Sequence, residues 1–487
     1  MQKIDGTTVL PAQAGRTNGI ARILFVTSEM GGYLKAGGLG EVSAALPRAM
    51  ADLCDVRVLM PGFPPVRDRH PDIKIIRRMP PTAALPAWNL GCVTTGDGLT
   101  LYLVLCDELY NRPGSPYCDA DGVEYADNDI RFARLSLAAA EIAAGAADPD
   151  WVPDVLHAND WPSALAVGYL HWRKVETPSI LTIHNLAYQG LYAQDRLGAL
   201  GIPDAAFHVD GSEFHGKLSF LKTGIYYASH VTTVSETYAH EITTVQNGCG
   251  LDGLLAHRMR SGELTGIVNG IDESWTDLAE DIRHERDLAD WKAKNAGAVR
   301  ELFDLSASEG PLFSIVSRLV HQKGIDLSIE VADRIVENGG QIVVTGQGEP
   351  EIEEAVRDLT RRHPGKVAAR IGFDDEEARA IFAGSDFLLM PSRFEPCGLS
   401  QMYAQSVGSL PIAYRTGGLA DTIDDGRSGF LFSTHNERGF TQAISRALGV
   451  FRSKSRIGHM RQNALSKRFE WASSARRYLD VYAAARG

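Results

Sequence analysis

Three short strings in this chain set charges beside glycines, each just past an apolar run. Pro391-Ser392-Arg393-Phe394-Glu395-Pro396-Cys397-Gly398-Leu399 follows Asp386-Phe387-Leu388-Leu389-Met390, Arg415-Thr416-Gly417-Gly418-Leu419 follows the next run, and Lys35-Ala36-Gly37-Gly38-Leu39 lies near the other end of the sequence. Glycines let backbone N–H groups approach an anion, and a helix opening there adds positive potential. Lys35 with Gly37 and Gly38, and Thr416 with Gly417 and Gly418, therefore suit a phosphate. Taken alone, the first string is more often a solvated lysine beside a plain turn, since Gly-rich strand–helix turns are common. Arg318 and Lys323 stand five residues apart in Ser317-Arg318-Leu319-Val320-His321-Gln322-Lys323-Gly324. A guanidinium fork and an ammonium at that spacing suit a diphosphate; surface ion pairing is the alternative. His184 closes Ile180-Leu181-Thr182-Ile183, where it could bond a sugar hydroxyl or move a proton, although a lone histidine is more often partly buried and satisfied by backbone. Asp160, in His157-Ala158-Asn159-Asp160-Trp161, reads as a ligand contact or a helix N-cap. Glu395 could accept hydrogen bonds from sugar hydroxyls or simply open a helix. Cys397 beside it reads as a small spacer, with a reactive thiol as the alternative.

The elements that must position these groups follow a repeated pattern. Apolar β-rich runs (Ile23 to Val26, Val56 to Met60, Leu101 to Leu105, Val155 to His157, Ile180 to Ile183, Val231 to Val234) alternate with helical stretches such as Leu39 to Leu53 and Asn128 to Ala144. A polar stretch from Asp272 to Asn295 interrupts it. The pattern then restarts at Leu312 to Val316 and continues through Gln341 to Thr345, Val367 to Ile371, Phe387 to Met390 and Leu410 to Ala413. Continuous apolar strands separated by helices predict parallel sheets covered on both faces. The expected architecture is α/β: two Rossmann-like, doubly wound domains over 21–265 and 266–470, preceded by a loose polar tail over 1–20. A last helix, 471–487, is expected to complete the first domain. Open α/β sheets bind ligands beyond the carboxyl ends of their strands, so the site is expected in a cleft between the domains.

Composition narrows the partners. The chain has 487 residues and a formal charge of −12, which disfavours nucleic acid and anionic membranes. No run of 18 apolar residues and no N-terminal apolar segment occurs, so neither a membrane span nor a secretory leader is expected. The six cysteines form no C-x-x-C pair, which suits reduced thiols in a cytoplasmic enzyme. No D-x-D pair stands where a strand would support a metal. Asp119-Ala120-Asp121 has the spacing but lies in a loop.

Taken in order, these strings resemble bacterial glycogen synthase and plant starch synthase, the glycosyltransferase family five enzymes. The resemblance runs from about Ile23 to the C-terminus. It includes Tyr110 to Tyr117, His184-Asn185-Leu186-Ala187-Tyr188-Gln189-Gly190, Ser219-Phe220-Leu221-Lys222, Asn269-Gly270-Ile271-Asp272, Ser317-Arg318-Leu319 with Gln322-Lys323-Gly324, Pro391 to Leu399 and Arg415 to Asp421. It implies a two-lobed GT-B fold and retaining transfer of glucose from ADP-glucose to the non-reducing end of an α-1,4-glucan. No cofactor or metal is implied. Lys35, Asp160, His184, Arg318, Lys323 and Glu395 would carry the transfer. Gly37, Gly38, Cys397, Gly398, Leu399, Thr416, Gly417 and Gly418 would join the donor contacts; Trp161, Asn185, Tyr188 and Gln189 would line the sugar or acceptor side. An oligomer is compatible with this. The chain departs from the family's His-Ala-His-Asp-Trp-His at Asn159 and Pro162, has Met30-Gly31-Gly32-Tyr33-Leu34 where Phe-Pro is common, and carries Tyr403 eight residues after Glu395, where related retaining transferases have a second Glu.

Rival readings are a dinucleotide oxidoreductase, a pyridoxal-phosphate phosphorylase, a transferase with another donor or a small acceptor, and a non-catalytic glucan- or nucleotide-binding homologue. The first fails on its fingerprint: Gly346-Gln347-Gly348-Glu349-Pro350-Glu351 lacks the third glycine of G-x-G-x-x-G.

Overall fold

The computed structural model describes residues 22–486 except 276, 278–284 and 373. The expected N-terminal tail lies outside the described residues. Among the described residues the strands in chain order are β1 (Arg22–Val26), β2 (Asp55–Pro61), β3 (Lys74–Met79), β4 (Trp88–Thr94), β5 (Thr100–Leu105), β6 (Val155–Asn159), β7 (Ser179–Ile183), β8 (Leu191–Ala193), β9 (Glu213–Phe214), β10 (Lys217–Ser219), β11 (His230–Thr233), β12 (Leu264–Gly266), β13 (Leu312–Val316), β14 (Gln341–Gly346), β15 (Val367–Ile371), β16 (Phe387–Met390), β17 (Leu410–Tyr414) and β18 (Phe430–Phe432).

The first lobe is built on a nine-stranded sheet in the order β12-β11-β7-β6-β1-β2-β5-β4-β3. The second is built on six strands, β15-β14-β13-β16-β17-β18, all paired in parallel. In the first sheet only β3-β4-β5 run antiparallel. The α/β, doubly wound parallel architecture is therefore present in both halves. Strand residues alternate between the faces of the second sheet: Phe313 and Ile315 enter one apolar cluster, Leu312 and Val316 the other. Both faces are thus covered by helices, which is why these strands read as unbroken apolar runs.

Each sheet has a switch point, where successive connections diverge to opposite sides. In the first, the chain runs from β1 to β2 and β5 one way, and from β6 to β7 and β11 the other. In the second, β13 leads to β14 and β15, and β16 to β17 and β18. The crevices past β1/β6 and β13/β16 are where such sheets bind ligands.

The final helix, Trp471–Arg486, packs into the core of the first lobe. Trp471, Tyr478 and Tyr482 are buried there. The Tyr482 hydroxyl lies 2.7 Å from His157 Nδ1, whose Nε2 lies 2.6 Å from Thr182 Oγ1. Ser474 and Arg477 bond the Val268 and Gly266 carbonyls at the linker. Among the described residues, no helix is long and apolar enough to cross a membrane.

Candidate active site between the lobes

At the first switch point, β1 runs into the loop that carries Lys35. Glu29, in Ser28-Glu29-Met30, holds that loop from beneath. Its carboxylate accepts from the Ala36 and Gly37 N–H groups, the latter at 3.1 Å, and from the Tyr117 hydroxyl at 2.9 Å. Glu29 is buried, and burial raises its pKa against the pull of those donors. Nothing in the sequence marks this residue, because a lone Glu after an apolar strand carries no signal of its own. Lys35 is exposed, with Nζ 2.6 Å from Glu41 Oε1. Partial burial alone would lower its pKa; Glu41, with lesser help from Asp375 and Glu29, holds it above the ordinary lysine value. Asp375 belongs to the second lobe, so the Lys35 loop faces that lobe. A cavity of about 220 Å³ lies at this junction, lined by Gly31, Glu41 and Arg48 on one side and Asp272 and Tyr403 on the other. Tyr403 stacks on Trp275 at 4.1 Å between ring centroids.

Beyond β6, Asp160 has φ +54, the left-handed region that non-glycine residues avoid. The strain aims its carboxylate across the sheet. It does not cap its own helix; Oδ1 accepts from the backbone N–H of His184 at 2.7 Å and of Asn185 at 3.3 Å, past β7. Burial outweighs these bonds and pushes its pKa up to about 7. His184 is half-buried and burial lowers its pKa to about 3, so it is neutral. Its Nε2 lies 3.0 Å from Asn159 Oδ1. The Asn185 side chain turns back to the Ala187 N–H at 3.1 Å. Trp161 packs against Phe132 at 4.8 Å and Tyr117 at 6.2 Å, within an aromatic group. Tyr188 is exposed at the loop tip. Gln189 points elsewhere, its amide donating to Cys249 O at 3.0 Å.

At the second switch point the loops after β13 and β16 are stitched together. Arg393 clamps Asp326 with two bonds of 2.9 and 2.6 Å and donates to His321 O at 2.7 Å; Gln322 donates to Phe394 O at 3.2 Å. Gly324 lies where an added Cβ would come 2.0 Å from Pro391 O, at φ +65, so only glycine lets the loops approach this closely. The outcome is the Lys323–Glu395 pair, Nζ to Oε2 2.5 Å, with Ser392 Oγ 3.0 Å from the same oxygen. Arg318 is exposed, and its guanidinium makes no hydrogen bond or ion pair among the described residues. Cys397 is buried and its thiol is pushed up to about 12, which suits the spacer reading. Gly398 has φ +72 and its carbonyl accepts from Gln401, while Leu399 opens the next helix.

The Thr416-Gly417-Gly418 turn differs from what the string suggests. Its N–H groups, expected to face phosphate, are taken. Gly417 donates to both Glu241 carboxylate oxygens at 3.1 Å, and Gly418 to Glu395 O at 3.0 Å. Thr416 Oγ1 also meets Glu241, at 2.9 Å. Added Cβ atoms at 417 and 418 would come 2.0 Å from Glu395 O and 2.1 Å from Cys397 O. Glu241 comes from the first lobe, as do Ser235, bonded to Pro396 O at 2.6 Å, and Thr237, bonded to Asp421. At Gly37 and Gly38, by contrast, an added Cβ would meet nothing within 4 Å.

Comparison with known proteins gives the family and the fold. The profile for the starch synthase catalytic domain matches residues 22–257, and that for glycosyl transferases group 1 matches 310–449. A glycogen synthase of Pseudomonas putida is 55% identical over 465 residues, 95% of this chain and 89% of that protein. The chain belongs to the glycogen and starch synthase family of glycosyltransferases. Another relative in the family, glycogen synthase 1 of Bradyrhizobium diazoefficiens, is 53% identical over 93% of this chain and 99% of its own. Among solved structures, the catalytic domain of starch synthase IV from Arabidopsis thaliana, bound to ADP and acarbose, superposes with a TM-score of 0.83 at 28% identity, covering 96% of this chain and 99% of that one. A sucrose-phosphate synthase from Thermosynechococcus elongatus shares the fold at a TM-score of 0.60 and 16% identity, covering 95% and 98%.

Proposed function

We propose that this family member transfers glucose from ADP-glucose to the non-reducing end of an α-1,4-glucan with retention of configuration, as a cytoplasmic enzyme. The observation that carries the reading is the Lys323–Glu395 pair past β13 and β16, in a molecule that carries Lys35, Asp160 and His184 on the loops past β1, β6 and β7. Glycosyl transfer needs the leaving diphosphate neutralised and the hexose held in place. Arg318, with no internal partner among the described residues, and Lys323 would bind the diphosphate. Lys35 would approach it from the opposite lobe. The open space at Gly37 and Gly38 would let donor atoms come against the backbone. Glu395 would orient Lys323 and accept from the sugar. Asp160 and His184 would line the glucose pocket, with Asn185 and Tyr188 toward the acceptor. Support for the donor and the glucan comes from the glycogen synthase relatives and from the starch synthase solved with ADP and acarbose.

Neutralisation by side-chain cations would need no metal. The test is incorporation of labelled glucose into glycogen from ADP-glucose and from UDP-glucose, each with and without EDTA, with the new linkage read by NMR. ADP-glucose should be preferred, EDTA should have no effect and the linkage should be α-1,4. Failure of both donors would sink the reading.

A further inference from the structure

Asn159 occupies one of the two positions where the chain departs from the family's histidine-rich string, and it is wholly buried. Its side chain spans three strand ends at the first switch point. The amide nitrogen donates to Val26 O, at the end of β1, at 3.0 Å, and lies 3.5 Å from His157 O on β6. The amide oxygen faces His184 Nε2, past β7, at 3.0 Å. The opposite amide orientation would bring its oxygen against two carbonyl oxygens, so the two carbonyls fix which end faces the histidine. An oxygen with no proton to give can only accept, so His184 Nε2 must carry the hydrogen.

We propose that Asn159 is a positioning residue whose amide locks His184 as the Nε2–H tautomer, so that Nδ1 meets a hydroxyl of the bound hexose as a hydrogen-bond acceptor. The hexose part rests on the transferase reading above. Nδ1 makes no hydrogen bond among the described residues, and burial keeps the ring neutral, with one proton to place. The backbone is held as tightly: His184 N–H on Asp160 Oδ1 at 2.7 Å, and Asn159 N–H on Ser163 Oγ at 2.6 Å. His184 so held neither donates to the sugar nor acts as a general acid; it selects a sugar with a hydroxyl that can donate.

The test is the ring-nitrogen spectrum of protein labelled with 15N-histidine, with the His184 signals assigned by their loss in His184→Gln or His184→Ala. The expected result at neutral pH is an unprotonated Nδ1 and a protonated Nε2, told apart by their couplings to the ring hydrogens. A protonated Nδ1, or an imidazolium, overturns the proposal. In Asn159→Ala the two nitrogens should move toward a tautomer average, and kcat/KM for ADP-glucose should fall about tenfold, the loss of one well-placed hydrogen bond. An unchanged spectrum in that variant removes Asn159 from the role. The tautomer is read on the protein alone. Absence of transfer in every preparation would therefore count against the transferase reading and not against Asn159.

Discussion

Lys323 and Glu395 show how a pair is worth more than its Coulomb energy. The ammonium has one carboxylate partner, and that partner is held by Ser392 and by a loop clamped through Arg393 and Asp326. Under the proposed reaction, removing either member would leave the departing diphosphate without a fixed cation. Lys323→Ala and Glu395→Ala should each lower kcat on the order of 10²- to 10³-fold, the usual scale for one electrostatic contact. Each change strands a buried partner, so melting temperature should fall as well, while the protein stays folded. Wild-type incorporation of labelled glucose by either variant would remove that residue from the reaction. Asp160 gives a different signature, in stability. Its carboxyl keeps its proton in the folded state up to about pH 7, against an ordinary value of 3.8. Between those values the folded chain binds more protons than the unfolded one, so this group costs stability as pH rises and the cost is constant above. Asp160→Asn keeps an acceptor for the His184 and Asn185 N–H groups. Thermal melts across pH should show the variant gaining on wild type from about pH 4 to pH 7 and running parallel above. A pH-independent difference would contradict the burial argument.

At the scale of elements, two similar strings have opposite physical reasons. Gly37 and Gly38 are not demanded by packing, whereas Gly417 and Gly418 are pressed against the carbonyls of Glu395 and Cys397, the former at φ +41. Gly37→Ala and Gly38→Ala should leave stability within about 1 kcal/mol of wild type while weakening transfer. Gly417→Ala and Gly418→Ala should destabilise by about 2–4 kcal/mol, visible in chemical denaturation. Equal losses at the two pairs would refute the distinction. The same contrast marks what the sequence made legible. Buried parallel strands announce themselves as apolar runs, so β13, β15 and β16 lie where the pattern puts them, and the α/β class follows. The hairpin of β3 and β4 does not, because Lys74-Ile75-Ile76-Arg77-Arg78-Met79 is an exposed edge with charges on it. Nor does the small sheet of β8, β9 and β10, whose strands have two or three residues each. In the site, residues directly after apolar strands could be found by position. Glu29, Glu241 and Asp326 could not, since their roles depend on which distant loop lies beside them.

For the whole molecule the question is what holds the lobes in register. Ser235, Thr237 and Glu241 of the first lobe all bond the segment from Pro396 to Asp421 of the second. Glu241 matters most, because its carboxylate takes both the Gly417 N–H and the Thr416 hydroxyl, the donors that the glycine string suggested for phosphate. It is half-buried, and burial raises its pKa despite the bonds from Gly417 and Thr416. One reading is that the donor displaces Glu241 on binding. The other is that the contact is a permanent strut and the phosphate lies nearer Arg318 and Lys323. The turn favours the strut, since the Gly418 N–H is bonded to Glu395 O and the Gly417 N–H is held by both Glu241 oxygens, with Thr416 on the same carboxylate. Glu241→Ala should therefore cost about 1–3 kcal/mol of stability, the penalty for orphaning buried donors. ADP affinity, measured by calorimetry, should stay within about threefold, because no contact to the nucleotide is lost. A tenfold rise in ADP affinity would mean that the carboxylate had been competing for the site, and the turn at Gly417 would then belong to the donor pocket and not to the joint between lobes.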